Sequence, residues 1–140
     1  MTGPVRIVAD ENIPYVEAAF SHLGRVRRLP GRAMTAPAVK DADILLVRSV
    51  TRVGRDLLDG SAVKMVATAT IGVDHLDEDY LRRAGIAVAS APGSNANSVG
   101  EYVMAALLTL GERHGLRLAG KTIGVVGVGN VGSKVAAKAA

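Results

Sequence analysis

Short apolar runs alternate along the chain with segments whose apolar residues recur at every third or fourth position. Five of the runs are predicted as strands, at residues 5–9, 26–29, 44–47, 65–68 and 86–89. The first run, apolar apart from Arg6, is typical of a parallel strand buried on both faces, and the run at 26–29 is weaker. The intervening segments predict helices at residues 16–23, 35–40, 57–58 and 77–83. Strands and helices that alternate with short joins predict an α/β fold with a parallel, doubly wound sheet.

Polar residues mark several of the predicted helix starts. Asn12 and Asp77 are each predicted to cap a helix, because their side chains can accept hydrogen bonds from free amides. Ser98 and Glu101 form an S-x-x-E capping box, which predicts the start of a long helix that ends near His114. This helix is apolar on all sides, so we expect more than one of its sides to be buried.

Composition and charge narrow the possible functions. The hydrophobic fraction of 49% is ample for a core, and the absence of cysteine excludes disulfides and thiolate chemistry. No signal-peptide pattern or membrane-length apolar run is present, so we expect a cytoplasmic protein without a membrane partner. The net charge of +4 favours an anionic ligand. Nucleic acid is not expected, because the arginines are dispersed and only 3% of residues are aromatic.

The end of the chain carries a glycine motif in a distinctive context. An apolar, β-branched run at residues 122–128 predicts a strand, G-x-G-x-x-G follows, and residues fit for a helix come next. The first glycine permits the turn, the second leaves room for a pyrophosphate, and the third lets the helix pack closely. The phosphates would bind free amides at the helix N-terminus. An ordinary glycine-rich turn is the alternative. The predicted cofactor-binding residues are Gly127, Gly129, Asn130, Val131 and Gly132.

This nucleotide-binding unit looks incomplete. The acidic residue that usually binds the ribose lies about 20 positions beyond the turn, which is past Ala140. No second strand of such a unit follows the motif. We therefore expect the chain to be the front part of a longer protein.

Five segments together resemble one protein family: DENIPY, VRSVTRV, ATATIGVDHLD, APGSNANSVGEYV and GVVGVGNVG. Spread over nearly all of residues 5–135, they resemble the D-isomer-specific 2-hydroxyacid dehydrogenases. The resemblance implies a flavodoxin-like substrate-binding domain at residues 1–96. It also implies that residues 97–140 hold a linking and dimerisation helix followed by the first strand and helix of a Rossmann NAD-binding domain. NAD as cofactor, homodimer formation and a phosphorylated hydroxyacid substrate are implied as well.

The segments DENIPY and VRSVT are the more specific part of the resemblance, and they favour 4-phospho-D-erythronate as the substrate. Two alternatives stay open. The substrate could be another 2-hydroxyacid such as 3-phosphoglycerate, or the chain could be a non-catalytic, flavodoxin-like binding module.

Candidate substrate-binding residues follow two predicted strands. Ser49 and Thr70 lie just past strands 44–47 and 65–68, at the edge where open parallel sheets bind ligands. By resemblance both hydroxyls would hydrogen-bond the hydroxyacid, and a plain turn role is the alternative. Arg48 could neutralise a phosphate or carboxylate, and an ion pair within the protein is the alternative. The backbone amides at 71–73 could bind a carboxylate, and a simple turn is the alternative. The predicted set is Ser49, Thr70, Arg48 and Gly72.

The family's catalytic Arg, Glu and His would lie downstream of Ala140, and none of the three histidines here matches them. We therefore expect no catalytic residue in this chain and no activity from it alone. Asp74, His75 and Asp77 are predicted to serve as cap and turn residues, with no metal site.

Overall fold

The predicted strands form one five-stranded parallel sheet. In the computed structural model, which describes residues 3–140, its strands are β1 (Val5–Asp10), β2 (Gly24–Leu29), β3 (Ile44–Val47), β4 (Met65–Thr68) and β5 (Ala87–Ala89). Their order is β2-β1-β3-β4-β5, and every neighbouring pair is parallel. This is the flavodoxin-like order, so the predicted fold class is confirmed.

The helices are α1 (Val16–Phe20), α2 (Ala36–Val39), α3 (Arg55–Leu58), α4 (Glu78–Arg83), α5 (Ala96–Arg113) and α6 (Asn130–Ala139). The chain divides into two compact units after Ala91, and we call them the sheet unit and the C-terminal unit. The sheet unit holds β1 to β5 with α1 to α4, and the C-terminal unit holds α5 and α6. None of the described helices is both long and apolar enough to cross a membrane.

Alternate residues of the central strands enter two separate cores. On one face, Val8, Leu45 and Val66 pack with apolar residues of α2, α3 and α4. On the other face, Ile7 and Leu46 pack with residues that include Val16 of α1. Because β3 is covered on both faces, its sequence is apolar throughout, as the pattern predicted, whereas β1 also contains Arg6 and Asp10.

Two helix starts differ in how well they were predicted. Asp77 caps α4, since its Oδ1 accepts the amide of Tyr80 at 2.9 Å, and this prediction is confirmed. The cap predicted at Asn12 is wrong. The backbone amide of Asn12 instead donates to Asp10 Oδ1 at 2.9 Å, and this contact forms a tight turn directly after β1. The helix begins only after Tyr15, whose φ of 57° reverses the chain.

The capping box predicted at Ser98 is also wrong. α5 begins at Ala96, so Ser98 lies inside the first turn and cannot cap it. Glu101 makes other contacts: it accepts from Asn97 Nδ2 at 2.9 Å, and it pairs with Lys138 Nζ of α6 at 3.5 Å. Because the helix starts earlier, Glu101, the second residue of the predicted capping box, instead joins α5 to α6.

Burial of α5 is less than its sequence predicts. Only Ala96, Gly100 and Gly111 of this helix are buried, whereas Tyr102 and Leu108 are 74% and 61% exposed. Within its own unit α5 packs against α6, which is too small to cover a helix that is apolar on all sides.

The strand predicted at residues 122–128 is absent from the described structure. A β-strand is defined by its hydrogen bonds to a neighbour, and residues 121–128 pair with no other segment among residues 3–140. The helix predicted after the glycines is present as α6. The apolar pattern therefore identified a segment suited to a sheet, but the described residues supply no strand beside it.

Candidate functional site

Ser49 and Thr70 lie side by side because of strand register. Val47 and Thr68 are paired residues of β3 and β4, and each candidate hydroxyl follows two positions later. The two loops enclose a groove of about 370 Å³ at the carboxyl edge of the sheet. The residues that line it are Ser49, Arg52, Thr70, Gly72, Asp74 and His75.

The loop after β3 is fixed by a buried threonine. Thr51 donates its amide to Arg48 O at 3.1 Å, which closes a turn with Ser49 exposed at its tip. Its hydroxyl donates to Gly31 O at 3.0 Å. A Cβ on Gly31 would lie 2.5 Å from Oδ2 of the fully buried Asp10 and 2.6 Å from Val50 Cγ2, so this close approach favours glycine. Ser49 therefore lies at the tip of a turn that one main-chain hydrogen bond closes and the Thr51 hydroxyl anchors.

A short parallel bridge joins the loops after β3 and β4. The amide of Val53 donates to His75 O at 2.8 Å, and the amide of Asp77 donates to Val53 O at 2.8 Å. This bridge brings the side chain of Arg52 to the groove that His75 lines. The groove thus has a guanidinium group on one wall and an imidazole on the other.

Thr68, at the end of β4, connects Thr70 to His75. Its hydroxyl lies 2.9 Å from Thr70 Oγ1 and 3.0 Å from His75 Nε2, and it also accepts the Thr70 amide at 3.3 Å. Thr68 is buried, whereas Thr70 is partly exposed to the groove. The position of the Thr70 hydroxyl is therefore defined by buried partners.

The electrostatic surroundings of His75 favour its neutral form. Burial lowers the pKa of the imidazole below its ordinary value of 6.5, and the nearby Asp74 carboxylate opposes this only in part. His75 is thus uncharged near pH 7, and the formal positive charge of the groove comes from Arg52.

Main-chain amides add donors to the groove. Among the described residues, the amides of Ile71, Gly72 and Val73 donate to no other group. Gly72 lines the groove, and Ile71 is 43% exposed. Unpaired amides at a loop of this kind are suited to a carboxylate or phosphate oxygen.

Three of the four predicted substrate-binding residues, Ser49, Thr70 and Gly72, come together in the groove. Arg48 is half-buried and is not among the residues that line it, while Arg52 is. A role of these residues in binding stays a prediction. Sequence reasoning missed Arg52 because both arginines flank the same turn, and only the loop bridge determines which of them faces the groove.

The other acidic and histidine candidates near this groove are engaged in local contacts. Asp77 caps α4, in agreement with the cap role predicted for it, whereas the side chain of His75 contacts the Thr68 hydroxyl. Within residues 3–140 no group of three or more His, Cys, Asp or Glu side chains could hold a metal ion.

The three motif glycines of the C-terminal unit have different surroundings. Gly127 has a φ of +91°, which favours glycine. Around Gly129, just before α6, a Cβ would meet nothing within 4 Å. A Cβ on Gly132 would lie 1.9 Å from Gly127 O, so this position tolerates only glycine without rearrangement.

This arrangement fits the diphosphate of a dinucleotide. The first amides of α6, those of Asn130 and Val131, find no acceptor among the described residues, as expected at a helix N-terminus. The space at Gly129 leaves that terminus open. Cofactor binding by the five predicted residues stays a prediction.

Comparison with known proteins assigns the chain to a family. The family model for the D-isomer specific 2-hydroxyacid dehydrogenase catalytic domain matches residues 5–138. The chain belongs to this dehydrogenase family. Membership agrees with the resemblance seen in the sequence.

Individual relatives are similar over nearly the whole chain. It is 58% identical over 132 residues to erythronate-4-phosphate dehydrogenase of Chromohalobacter salexigens, and 60% identical over 131 residues to the protein of that name from Pseudomonas syringae. Each match covers 94% of this chain but 34% of the relative, so the chain spans about a third of their length. Among solved structures, NAD⁺-bound 3-phosphoglycerate dehydrogenase of Entamoeba histolytica is 26% identical, with a TM-score of 0.67 over 98% of this chain and 51% of that one.

Proposed function

We propose that this chain supplies the substrate-binding groove and the first nucleotide-binding turn of an NAD-dependent dehydrogenase. The complete enzyme would oxidise 4-phospho-D-erythronate to 2-oxo-3-hydroxy-4-phosphobutanoate in pyridoxal 5'-phosphate (vitamin B6) biosynthesis. The observation that carries this proposal is the 58% identity, over 94% of the chain, to a protein named erythronate-4-phosphate dehydrogenase. We also propose a homodimer, which the resemblance implies, and a cytoplasmic location, which the sequence pattern favours.

The chemistry of the groove suits this substrate. A phosphorylated hydroxyacid carries a phosphate and a carboxylate, both of which only accept hydrogen bonds at neutral pH. The groove offers the hydroxyls of Ser49 and Thr70, the free amides around Gly72, and the charge of Arg52. A hydrogen bond to a charged group contributes about 1.5–3 kcal/mol, so the loss of one donor should weaken binding about 10- to 100-fold.

The nicotinamide cofactor supplies the hydride acceptor when it is bound. The part assigned to this chain is to hold the cofactor's diphosphate on the amides of Asn130 and Val131, beside the open space at Gly129. No residue of this chain is assigned to proton transfer, so the chain alone should form no NADH from the substrate.

The substrate assignment can be tested by titrating the ¹⁵N-labelled chain with 4-phosphoerythronate, 3-phosphoglycerate and inorganic phosphate. We expect 4-phosphoerythronate to bind most tightly and to shift the amide signals of Ser49, Thr70 and Gly72. Thr70→Val should weaken this binding about 10- to 100-fold, whereas Thr70→Ser should retain it. Thr109→Val, in the C-terminal unit, is the matched control and should have no effect. Tighter binding of 3-phosphoglycerate would favour the alternative substrate, and absence of shifts in the groove would refute the site.

The cofactor assignment can be tested separately in the complete enzyme with Gly129→Val. The added side chain would occupy the space left for the diphosphate, so NAD affinity should collapse. Unchanged NAD affinity would contradict the assignment of this turn.

A further inference from the structure

The hydroxyl of Thr68 is shared by three polar groups. It accepts the Thr70 amide at 3.3 Å and lies 2.9 Å from Thr70 Oγ1 and 3.0 Å from His75 Nε2. A hydroxyl has one proton and two lone pairs. Because the amide uses one lone pair, the remaining lone pair and the proton must be divided between Thr70 and His75.

Only two arrangements satisfy this constraint. If Nε2 of His75 is bare, it accepts the Thr68 proton, and Thr70 must donate its own proton to Thr68. If Nε2 carries a proton, it donates to Thr68, Thr68 donates to Thr70, and the Thr70 proton is free to point into the groove. A phosphate or carboxylate oxygen needs a donor, so only the second arrangement lets Thr70 bind an anion.

We infer that His75 is a positioning residue that acts through Thr68 and determines whether Thr70 can donate a hydrogen bond to an anion in the groove. Anion binding at Thr70 then selects the form of His75 with a proton on Nε2. This inference rests on the proposed function, in which the groove takes a phosphorylated hydroxyacid.

Main-chain contacts keep the histidine in place for this role. His75 O accepts the Val53 amide at 2.8 Å, so the residue cannot withdraw from the groove without breaking the loop bridge. Burial keeps the pKa of the imidazole low, and near pH 7 the position of its single ring proton is therefore what decides the arrangement. Asp74 and Arg52 line the same groove as His75, and an adjoining cavity of about 480 Å³ adds the charged groups Arg55, Asp56 and Asp77.

The position of the proton can be read directly by ¹⁵N NMR of the histidine rings. The measurement uses the chain at pH 8, with and without 4-phosphoerythronate. At this pH His75 is neutral, so its ring ¹⁵N signals depend on which nitrogen carries the proton and not on a change of charge. His22 and His114 serve as internal references, and His75→Gln assigns the signals. We expect a protonated Nε2 and a bare Nδ1 in the bound state. A bare Nε2 in the bound state would overturn the inference while leaving the binding site intact. Absence of binding would overturn both this inference and the proposed function.

A double-mutant cycle provides a second test of the same relay. Glutamine at position 75 offers an N–H donor, whereas glutamate of nearly the same shape only accepts. We expect His75→Gln to bind 4-phosphoerythronate within about threefold of the wild type, and His75→Glu to bind much more weakly. We compare the ratio of the affinity of the glutamine variant to that of the glutamate variant in two backgrounds. This ratio should be about tenfold larger with Thr70 present than with Thr70→Val, because only Thr70 has a hydroxyl that glutamate at position 75 would prevent from donating to the anion. Thr68→Val should likewise remove this excess. Equal ratios in all three backgrounds would show that glutamate acts by charge alone, and the inference would fail.

Discussion

Replacing Gly132 by alanine should destabilise the packing of α6 in the C-terminal unit. The new Cβ would lie 1.9 Å from Gly127 O and 3.0 Å from Gly127 C, where contacts under 3.0 Å are essentially never seen. Both atoms belong to the backbone, so no side-chain rotation can relieve the clash. The helix or the glycine turn must move instead.

Two opposing effects determine the size of this change. Overpacking of this kind costs about 1–3 kcal/mol, and a clash with backbone lies toward the upper end of that range. Replacing glycine by alanine in a helix stabilises the folded state by about 0.5–1 kcal/mol, because alanine loses less conformational entropy on folding. The net loss should be about 1–2 kcal/mol, which corresponds to a 5- to 30-fold increase in the opening equilibrium.

Amide hydrogen exchange measures this opening at the level of the helix. Exchange of the α6 amides, including that of buried Val135, should accelerate by the same 5- to 30-fold. Gly124→Ala is the matched control, because its Cβ would meet nothing within 4 Å and its φ is not positive. If Gly132→Ala leaves exchange unchanged or slows it, the close packing of α6 on the glycine turn is refuted.

Three further changes probe the sheet unit. Leu81→Ala, at a fully buried core position, should lower the free energy of unfolding in urea by about 2–5 kcal/mol. Asp77→Ala removes the side-chain cap of α4 and should lower the free energy of unfolding by about 0.5–2 kcal/mol. The pKa of Asp43 is held below its ordinary value of 3.8, chiefly by a hydrogen bond from the Arg6 amide. Its contribution to stability is therefore present above pH 3.8 and is lost as the pH falls through the lowered folded pKa, so Asp43→Asn should flatten the acid side of the stability profile.

Each of these changes has a control and a contrary outcome. Leu23→Ala, at a position 47% exposed, should alter stability by no more than about 0.5 kcal/mol, and a loss equal to that of Leu81→Ala would contradict the core assignment. Asp77→Asn keeps an acceptor for the helix amide, so its free energy of unfolding should be close to that of the wild type. A loss as large as that of Asp77→Ala would contradict the cap. An unchanged acid slope in Asp43→Asn would show that this carboxylate is not the group that titrates there.

Local sequence pattern was sufficient for the sheet but not for every cap. β3 and β4 match their predicted bounds because their apolar residues form continuous runs with polar residues at each end. The cap predicted at Asn12 failed because α1 begins only after Tyr15, and the Asn12 side chain donates to Asp10 Oδ1 instead. A propensity scale ranks Asn12 as a good cap but does not register where the helix begins.

The candidate site was predictable only where it depends on strand ends. Ser49 and Thr70 follow β3 and β4 directly, so a rule about the carboxyl edge of parallel sheets finds both. Arg52 and the link from Thr68 to His75 depend on the pairing of Val53 with Leu76, which are 23 positions apart in the printed sequence. Contacts between two loops leave no periodic pattern, and for this reason sequence analysis did not find them.

The geometry of the groove depends finally on the register between β3 and β4. A slip of one residue would turn every side chain of a strand to the opposite face, and it would also separate Ser49 from Thr70 along the sheet edge. Leu45 and Val66, paired in that register and fully buried in the larger core, oppose such a slip because it would remove both from that core and turn them toward the smaller core on the opposite face. The residues that fix the spacing of the two hydroxyls are thus apolar and lie away from the groove. A core substitution that loosens this pairing should therefore weaken anion binding as well as stability, although it touches no group that contacts the ligand.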